Sequence, residues 1–223
     1  MPASETLWWR RNWFNASLLL LFALCTYLML KSSSDANQIL FDSSVGINVS
    51  LLIYLLVVWV PERRKRTRVR RNLQLQYDSF KEACIALFFS AMGSGHSLDE
   101  VTSLKDRDKF REFFKTDSST PGQTRWDVVA NGLDDQHVKL LAIEFEILRD
   151  ELHFTLNAID VDNPKAFAFL KQLSQELHRT KQVSPGYDDE KTLLRFMWSV
   201  FTGWSFAEGY QEKDVIAEMI EAI

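Results

Sequence analysis

Asp150 and His153 stand three residues apart, with Glu144 and Glu146 just upstream. This is the carboxylate–histidine spacing that helical bundles use to hold bridged metal pairs. Such a site needs a second Glu-x-x-His, and His178 has Gln175 at that distance, so the cluster reads as a solvated polar face. Gly93, Ser94, Gly95, His96 and Ser97 suggest a phosphate loop, but no strand precedes them, the third glycine is missing and no Gly-Lys-Ser/Thr follows. The expectation there is a turn between helices. His137 follows Asp134 and Asp135 at a helix start, where carboxylates complement the positive end of the helix dipole. Local spacing gives no serine or cysteine a base with an orienting partner. No catalytic, cofactor-binding or metal-ligating residue is assigned, no cofactor is expected, and the chain reads as a non-enzyme. A membrane-bound enzyme would have to rest on a compact set such as Glu146, Asp150 and His153.

Two other groups carry charge or polarity where it has consequences. Residues 62–71 read ERRKRTRVRR, placing Arg63, Arg64, Lys65, Arg66, Arg68, Arg70 and Arg71 against Glu62. Such a strip sets membrane topology, touches anionic lipid, or touches nucleic acid. Topology alone suffices to explain it, and any nucleic acid would be confined to the strip, because the acidic residues beyond it repel a phosphate backbone. Asn15, Ser17, Thr26, Asn48 and Ser50 are polar residues within apolar runs, better satisfied against protein than against lipid. They serve packing within a hairpin, or, with Asp42 near the outer mouth, they line a water-filled path that two helices per subunit can enclose only in an oligomer.

The elements that must position these residues follow from hydropathy and charge. Trp13 to Leu30 contains no charge over 18 residues, about 27 Å as a helix, close to the thickness of a bilayer core. No small-x-small site follows it, so an uncleaved anchor is expected. Ile47 to Val60 is a second apolar run of 14 residues, too short unless it starts earlier, at Val45 or Ile39. Trp8, Trp9, Trp13 and Trp59 fall where interfacial aromatic belts belong. Two arginines precede the first run, Lys31 lies between the runs, and seven basic residues follow the second. Both termini are therefore expected in the cytoplasm. The three segments, residues 1–61, 62–71 and 72–223, carry net charges of 0, +6 and −10. Cys25 and Cys84 are the chain's two cysteines, which excludes a disulfide-stapled secreted scaffold and suits a reducing compartment.

Beyond Pro61, expected to end or kink the second membrane helix, 3.6-residue periodicity dominates. Tyr77, Phe80, Cys84, Leu87, Phe88 and Ala91 form one helix face. Ser97 with Glu100, and Thr124 with Asp127, have capping-box spacing. Val138, Leu141, Phe145, Leu148, Leu152 and Ile159 step by threes and fours, broken at Thr155. Leu140, Ile143, Ile147 and Phe154 make a second stripe, which predicts a helix buried on two sides at the centre of a bundle. Asn163 before Pro164 starts a helix with Phe167, Leu170, Leu173 and Leu177 on its face. A further helix carries Leu193, Phe196, Met197, Val200, Phe201 and Trp204, and a terminal one Val215, Ile216, Met219 and Ile220. The fold class expected is all-α: a two-helix transmembrane hairpin (helices about 13–30 and 45–60), a basic juxtamembrane strip, and an acidic cytoplasmic helical bundle over 72–223.

The order of these parts resembles small two-helix membrane effectors of bacterial antiphage systems, retron-associated effectors in particular. The resemblance is one of layout and carries over no functional residue. It implies an inner-membrane, multi-pass protein that self-associates in the lipid bilayer and damages the cell's own membrane when released from a cytoplasmic protein or ribonucleoprotein, such as a reverse transcriptase complex. Cyclic-nucleotide-gated relatives of that layout use a β-rich sensor, whereas this soluble part reads as helical. A membrane-anchored adaptor or scaffold that recruits a cytoplasmic protein is the alternative.

Overall fold

A computed structural model describes residues 20–27, 38–118, 122–181, 187–205 and 209–223. The chain divides into two compact units, Met1–Arg68 and Val69–Ile223. The dividing point falls inside the basic strip.

In the first unit, residues 20–27 form helix α1 within the first apolar run. The rest of the expected 13–30 span, with Asn15 and Ser17, lies outside the described residues. Helix α2 runs Gln38–Tyr54, starting seven residues before position 45 and so lengthening an apolar run that was too short by itself. A π-helical turn follows at Leu55–Trp59, and the Val60 N–H donates five residues back to the Leu55 carbonyl. Helix α3 then occupies Val60–Ala91. Pro61 therefore does not end the helix. Its ring lacks an N–H and would crowd the carbonyl four residues back; shifting the bonds to five residues widens the preceding turn and removes that conflict. Among the described residues, one helix, Val45–Ala91, is long and apolar enough to cross a membrane, and its apolar window is uncovered. Only residues 20–27 of the expected first span are described, so the other half of the expected hairpin lies largely outside the described residues.

Among its described residues the second unit is mainly helical, with one two-residue ladder and an isolated antiparallel bridge between Asp117 and Thr124. Helices α4 (Leu98–Ser103) and α6 (Arg125–Gly132) start with the expected capping boxes, the side chains of Ser97 and Thr124 each accepting the backbone N–H three residues on. Helix α5 spans Arg107–Lys115, α7 Asp135–Ala158, α8 Pro164–Lys181, α9 Tyr187–Thr202 and α10 Val215–Glu221. Asn163 Oδ1 accepts the N–H groups of Lys165 and Ala166 at 3.0 and 3.3 Å, fixing the start of α8. Between α9 and α10 lie β1 (Trp204–Ser205) and β2 (Gly209–Tyr210), antiparallel with Trp204 opposite Tyr210. Trp204 thus belongs to β1 rather than to the α9 stripe. Gly203 precedes the ladder at φ +80°, and a Cβ there would stand 2.5 Å from the Lys213 carbonyl oxygen, so only glycine fits the turn.

The core is aromatic. Phe88 of α3 meets Phe110 and Phe114 of α5, Trp126 of α6 and Phe201 of α9 at centroid distances of 6.3, 6.0, 5.3 and 5.7 Å, within the range of favourable edge and stacked contacts. The α3 face read from the sequence is buried at Tyr77, Phe80, Cys84 and Phe88, joined by Leu73 and Ile85. On α7, Leu141, Phe145, Leu148 and Leu152 are buried, as is Ile159 at its C-cap, and α8 packs against α7. Thr155, at the break in the stripe, is fully buried and its hydroxyl has no hydrogen-bond partner. The second stripe is not buried: Leu140, Ile143, Ile147 and Phe154 are 39, 51, 42 and 55% exposed. Helix α7 has one covered side and lies at the edge of its unit. On α8, Phe167 is likewise exposed while Leu170, Leu173 and Leu177 are buried.

Candidate functional site

The apolar helix and its basic end form one candidate. Asn48 is half-buried and Ser50 and Asp42 are exposed on α2. The Asn48 side-chain oxygen is shielded from solvent and has no hydrogen-bond partner. In hydrocarbon such a group loses water without replacement, a cost of a few kcal/mol unless another helix supplies a donor. Thr26 differs, since its hydroxyl donates to the Phe22 carbonyl one turn back at 2.8 Å and so needs nothing further. Trp59 ends the π turn with the Arg63 guanidinium 4.5 Å from its ring centroid, an aromatic–cation pair of the kind found at headgroup depth.

Arg63, Arg64, Lys65, Arg68, Arg70 and Arg71 are exposed and Val69 is buried. Arg66 lies 3.6 Å from Glu62, one turn back. At about 100° per residue Arg63, Arg64, Lys65, Arg66 and Arg68, all in the first unit, point all around the helix. A collar of this kind surrounds a helix rather than forming a single ridge. It suits a plane of anionic headgroups that encircles the helix better than a groove-bound polymer that would touch one side.

A second cluster joins residues the sequence did not connect. Asp134 caps α7, its carboxylate accepting the His137 backbone N–H at 2.9 Å and approaching His137 Nδ1 at 2.6 Å. These bonds hold the Asp134 carboxyl below the usual carboxylate range, the backbone bond most strongly. The opposite ring nitrogen, Nε2, lies 3.1 Å from Ser90 Oγ near the end of α3. Asp134, His137 and Ser90 thus form the hydrogen-bonded order of a nucleophilic triad. Acyl transfer also needs donors aimed at the developing oxyanion. The N–H groups of Met92, Gly93 and Ser94, next along the chain, are bonded to the carbonyls of Phe88, Ser90 and Phe89. They close the helix end and leave none of the three for that role. The cluster therefore reads as a strut between α3 and α7, and Gly132 sets its reach: a Cβ at that position would fall 2.0 Å from the Ala91 carbonyl oxygen.

The acidic set on α7 is organised by Arg149. Its Nε and a terminal nitrogen donate to Asp150 at 3.1 and 2.8 Å, Glu146 lies at 3.6 Å, and a second terminal nitrogen is 3.1 Å from His178 Nδ1. His153 is exposed. The guanidinium pairs with these carboxylates, and no group of three or more ligating side chains able to hold a metal occurs among the described residues. Burial raises the Glu144 carboxyl above the usual range. Gly93 adopts φ +65° as the helix-ending turn. His96 stacks on Phe89 at 5.2 Å, while Gly93 to Ser97 are all exposed.

One polar cluster gave no signal in the sequence. Tyr77 Oη donates to Asp214 at 3.1 Å and Lys81 Nζ donates to the same carboxylate at 2.9 Å. Asp214 also caps α10 by accepting the Ala217 N–H at 3.0 Å. Tyr77 and Lys81 stand one helical turn apart on α3, and their partner lies more than 130 residues away, beyond the reach of local spacing. No protein-family model, curated protein or solved structure matches this chain.

Proposed function

We propose that this protein is a membrane-anchored effector of bacterial antiphage defence. Its apolar helix self-associates in the inner membrane and perturbs it, while the acidic helical unit remains in the cytoplasm under the restraint of a protein or ribonucleoprotein. The observation that carries the reading is a helix whose apolar window is uncovered and which bears Asn48, half-buried, with no hydrogen-bond partner for its side-chain oxygen. A second copy covers the open apolar face, and its approach gives the half-buried Asn48 side chain a polar partner to turn toward. Interhelical hydrogen bonds of this sort contribute about 0.6 to 2 kcal/mol each, enough to tune association without fixing it permanently. The basic collar and the Trp59–Arg63 pair support a helix end held at anionic headgroups.

The test is membrane potential in bacteria expressing the full chain or its Asn48→Leu variant at matched levels of inserted protein. The reading expects depolarisation by the full chain and a marked reduction in the variant, with loss of cross-linked oligomers. Equal depolarisation by both, or an intact potential in cells with abundant inserted protein and no restraining partner, sinks it. The adaptor reading is favoured by a different observation, the exposed apolar stripe of α7. It expects function to survive replacement of the whole apolar helix by an unrelated one.

A further inference from the structure

The uncovered side of α7 is a continuous seam. Leu140, Ile143, Ile147, Asp150 and Phe154 follow steps of three, four, three and four residues, the spacing by which one helix receives another along its length. All five are exposed, although the opposite side of the same helix is packed into the core. An isolated exposed leucine needs no explanation, but a row of four large apolar side chains on a helix of 24 residues marks an interaction surface.

Charge selects the occupant. Glu144, Glu146, Asp150 and Glu151 lie in the seam or beside it, against Lys139 and Arg149, and Arg149 is shared between Glu146 and Asp150. The Asp150 side chain remains 64% exposed in spite of that pairing. A second copy of the chain complements this face poorly. Paired in parallel, Asp150 meets its own counterpart. Paired antiparallel, Asp150 packs on Ile147 and Glu144 comes alongside Glu151. Either arrangement also brings together two segments of net charge −10, which repel within a Debye length of about 8 to 10 Å. We propose that the seam docks an amphipathic helix of a different protein, one with an apolar heptad stripe flanked by lysine or arginine. Its basic residues lie against Glu146 and Asp150 and its apolar residues cover Ile143, Ile147 and Phe154. This inference concerns α7 alone and stands apart from the membrane reading, so depolarisation is not its readout.

The experiment uses the full chain in phosphatidylcholine nanodiscs and two labelled synthetic peptides of about four heptads. Both peptides carry leucine at the seam positions; one has lysine and arginine at the flanking positions and the other has glutamate there. Fluorescence anisotropy is expected to show binding of the basic peptide, at least tenfold weaker binding to the Ile147→Asp variant, and at least tenfold weaker binding of the acidic peptide. Glu146→Lys combined with Asp150→Lys is expected to reverse the preference between the two. Circular dichroism checks that the variants keep their helix content. Equal binding of both peptides, or binding indifferent to Ile147→Asp, overturns the proposal. So does self-association of the full chain that Ile147→Asp abolishes, because a second copy then occupies the seam.

Discussion

Replacing Asp214 with alanine tests how the two ends of the helical unit are joined. The substitution removes three interactions together: the acceptor for Tyr77 Oη, the ion pair with Lys81, and the cap of α10. Lys81 is buried, its side chain 9% exposed, while the Asp214 side chain is 23% exposed. Breaking a fully buried pair costs about 3 to 5 kcal/mol; partial solvation of Asp214 moves this case to the lower end, about 3 kcal/mol. Loss of the cap adds about 1 kcal/mol, and the total is expected near 4 kcal/mol, with the Tyr77 hydrogen bond overlapping the ion-pair term. Asp214→Asn keeps an acceptor for Tyr77 and for the cap and is expected to cost about 2 kcal/mol, mostly from the stranded ammonium. Lys81→Met in the Asp214→Asn background should then recover most of that loss. The assay is urea unfolding of the full chain in detergent, followed by tryptophan fluorescence, to which Trp126 and Trp198 contribute from the aromatic core, their rings 5.0 Å apart. A cost for Asp214→Ala below about 1 kcal/mol, or no recovery in the double variant, refutes the view that Lys81 depends on this carboxylate.

Three further outcomes are expected. Thr155→Val removes a fully buried hydroxyl that has no partner and should raise stability by about 1 kcal/mol in the same unfolding assay. Burial, and then the Asp214 carboxylate, pushes the Tyr77 phenol well above its ordinary range. The unfolded chain releases that proton near pH 10 while the folded one retains it, so stability should fall as pH rises through that point. Absorbance titration at alkaline pH should show a phenol that ionises only on unfolding, and this phenol should be absent in Tyr77→Phe. Gly132→Ala places a methyl against the Ala91 carbonyl and should cost about 1 to 3 kcal/mol or more, with amide exchange rising at the end of α6.

Much of the helical unit was legible because its signals are local. The capping boxes at Ser97 and Thr124, the Asn163–Pro164 start and the buried stripe of α7 depend on residues within a turn or two, and sequence spacing reports them directly. Acidic composition and the basic strip are likewise properties of the chain itself. The Pro61 outcome shows the limit of a local rule: the proline does conflict with an ordinary helical turn, yet a π turn upstream absorbs the conflict.

What only the tertiary structure decided is which surfaces meet. Leu140, Ile143, Ile147 and Phe154 are as apolar as Leu141, Leu148 and Leu152, so periodicity could not separate them. The packing of α8 on one side of α7 leaves the other side open. The partners of Lys81, His137 and Tyr77 had the same standing, since a hydrogen bond across a fold leaves no trace in sequence spacing. The sequence by itself determined helices, caps, charge segregation and an apolar segment able to cross a bilayer, because each follows from short-range sterics or from composition. The strut from Ser90 to Asp134, the Lys81–Asp214 pair and the uncovered seam of α7 are products of long-range packing, where many chain arrangements satisfy the same local rules and only the assembled core selects one.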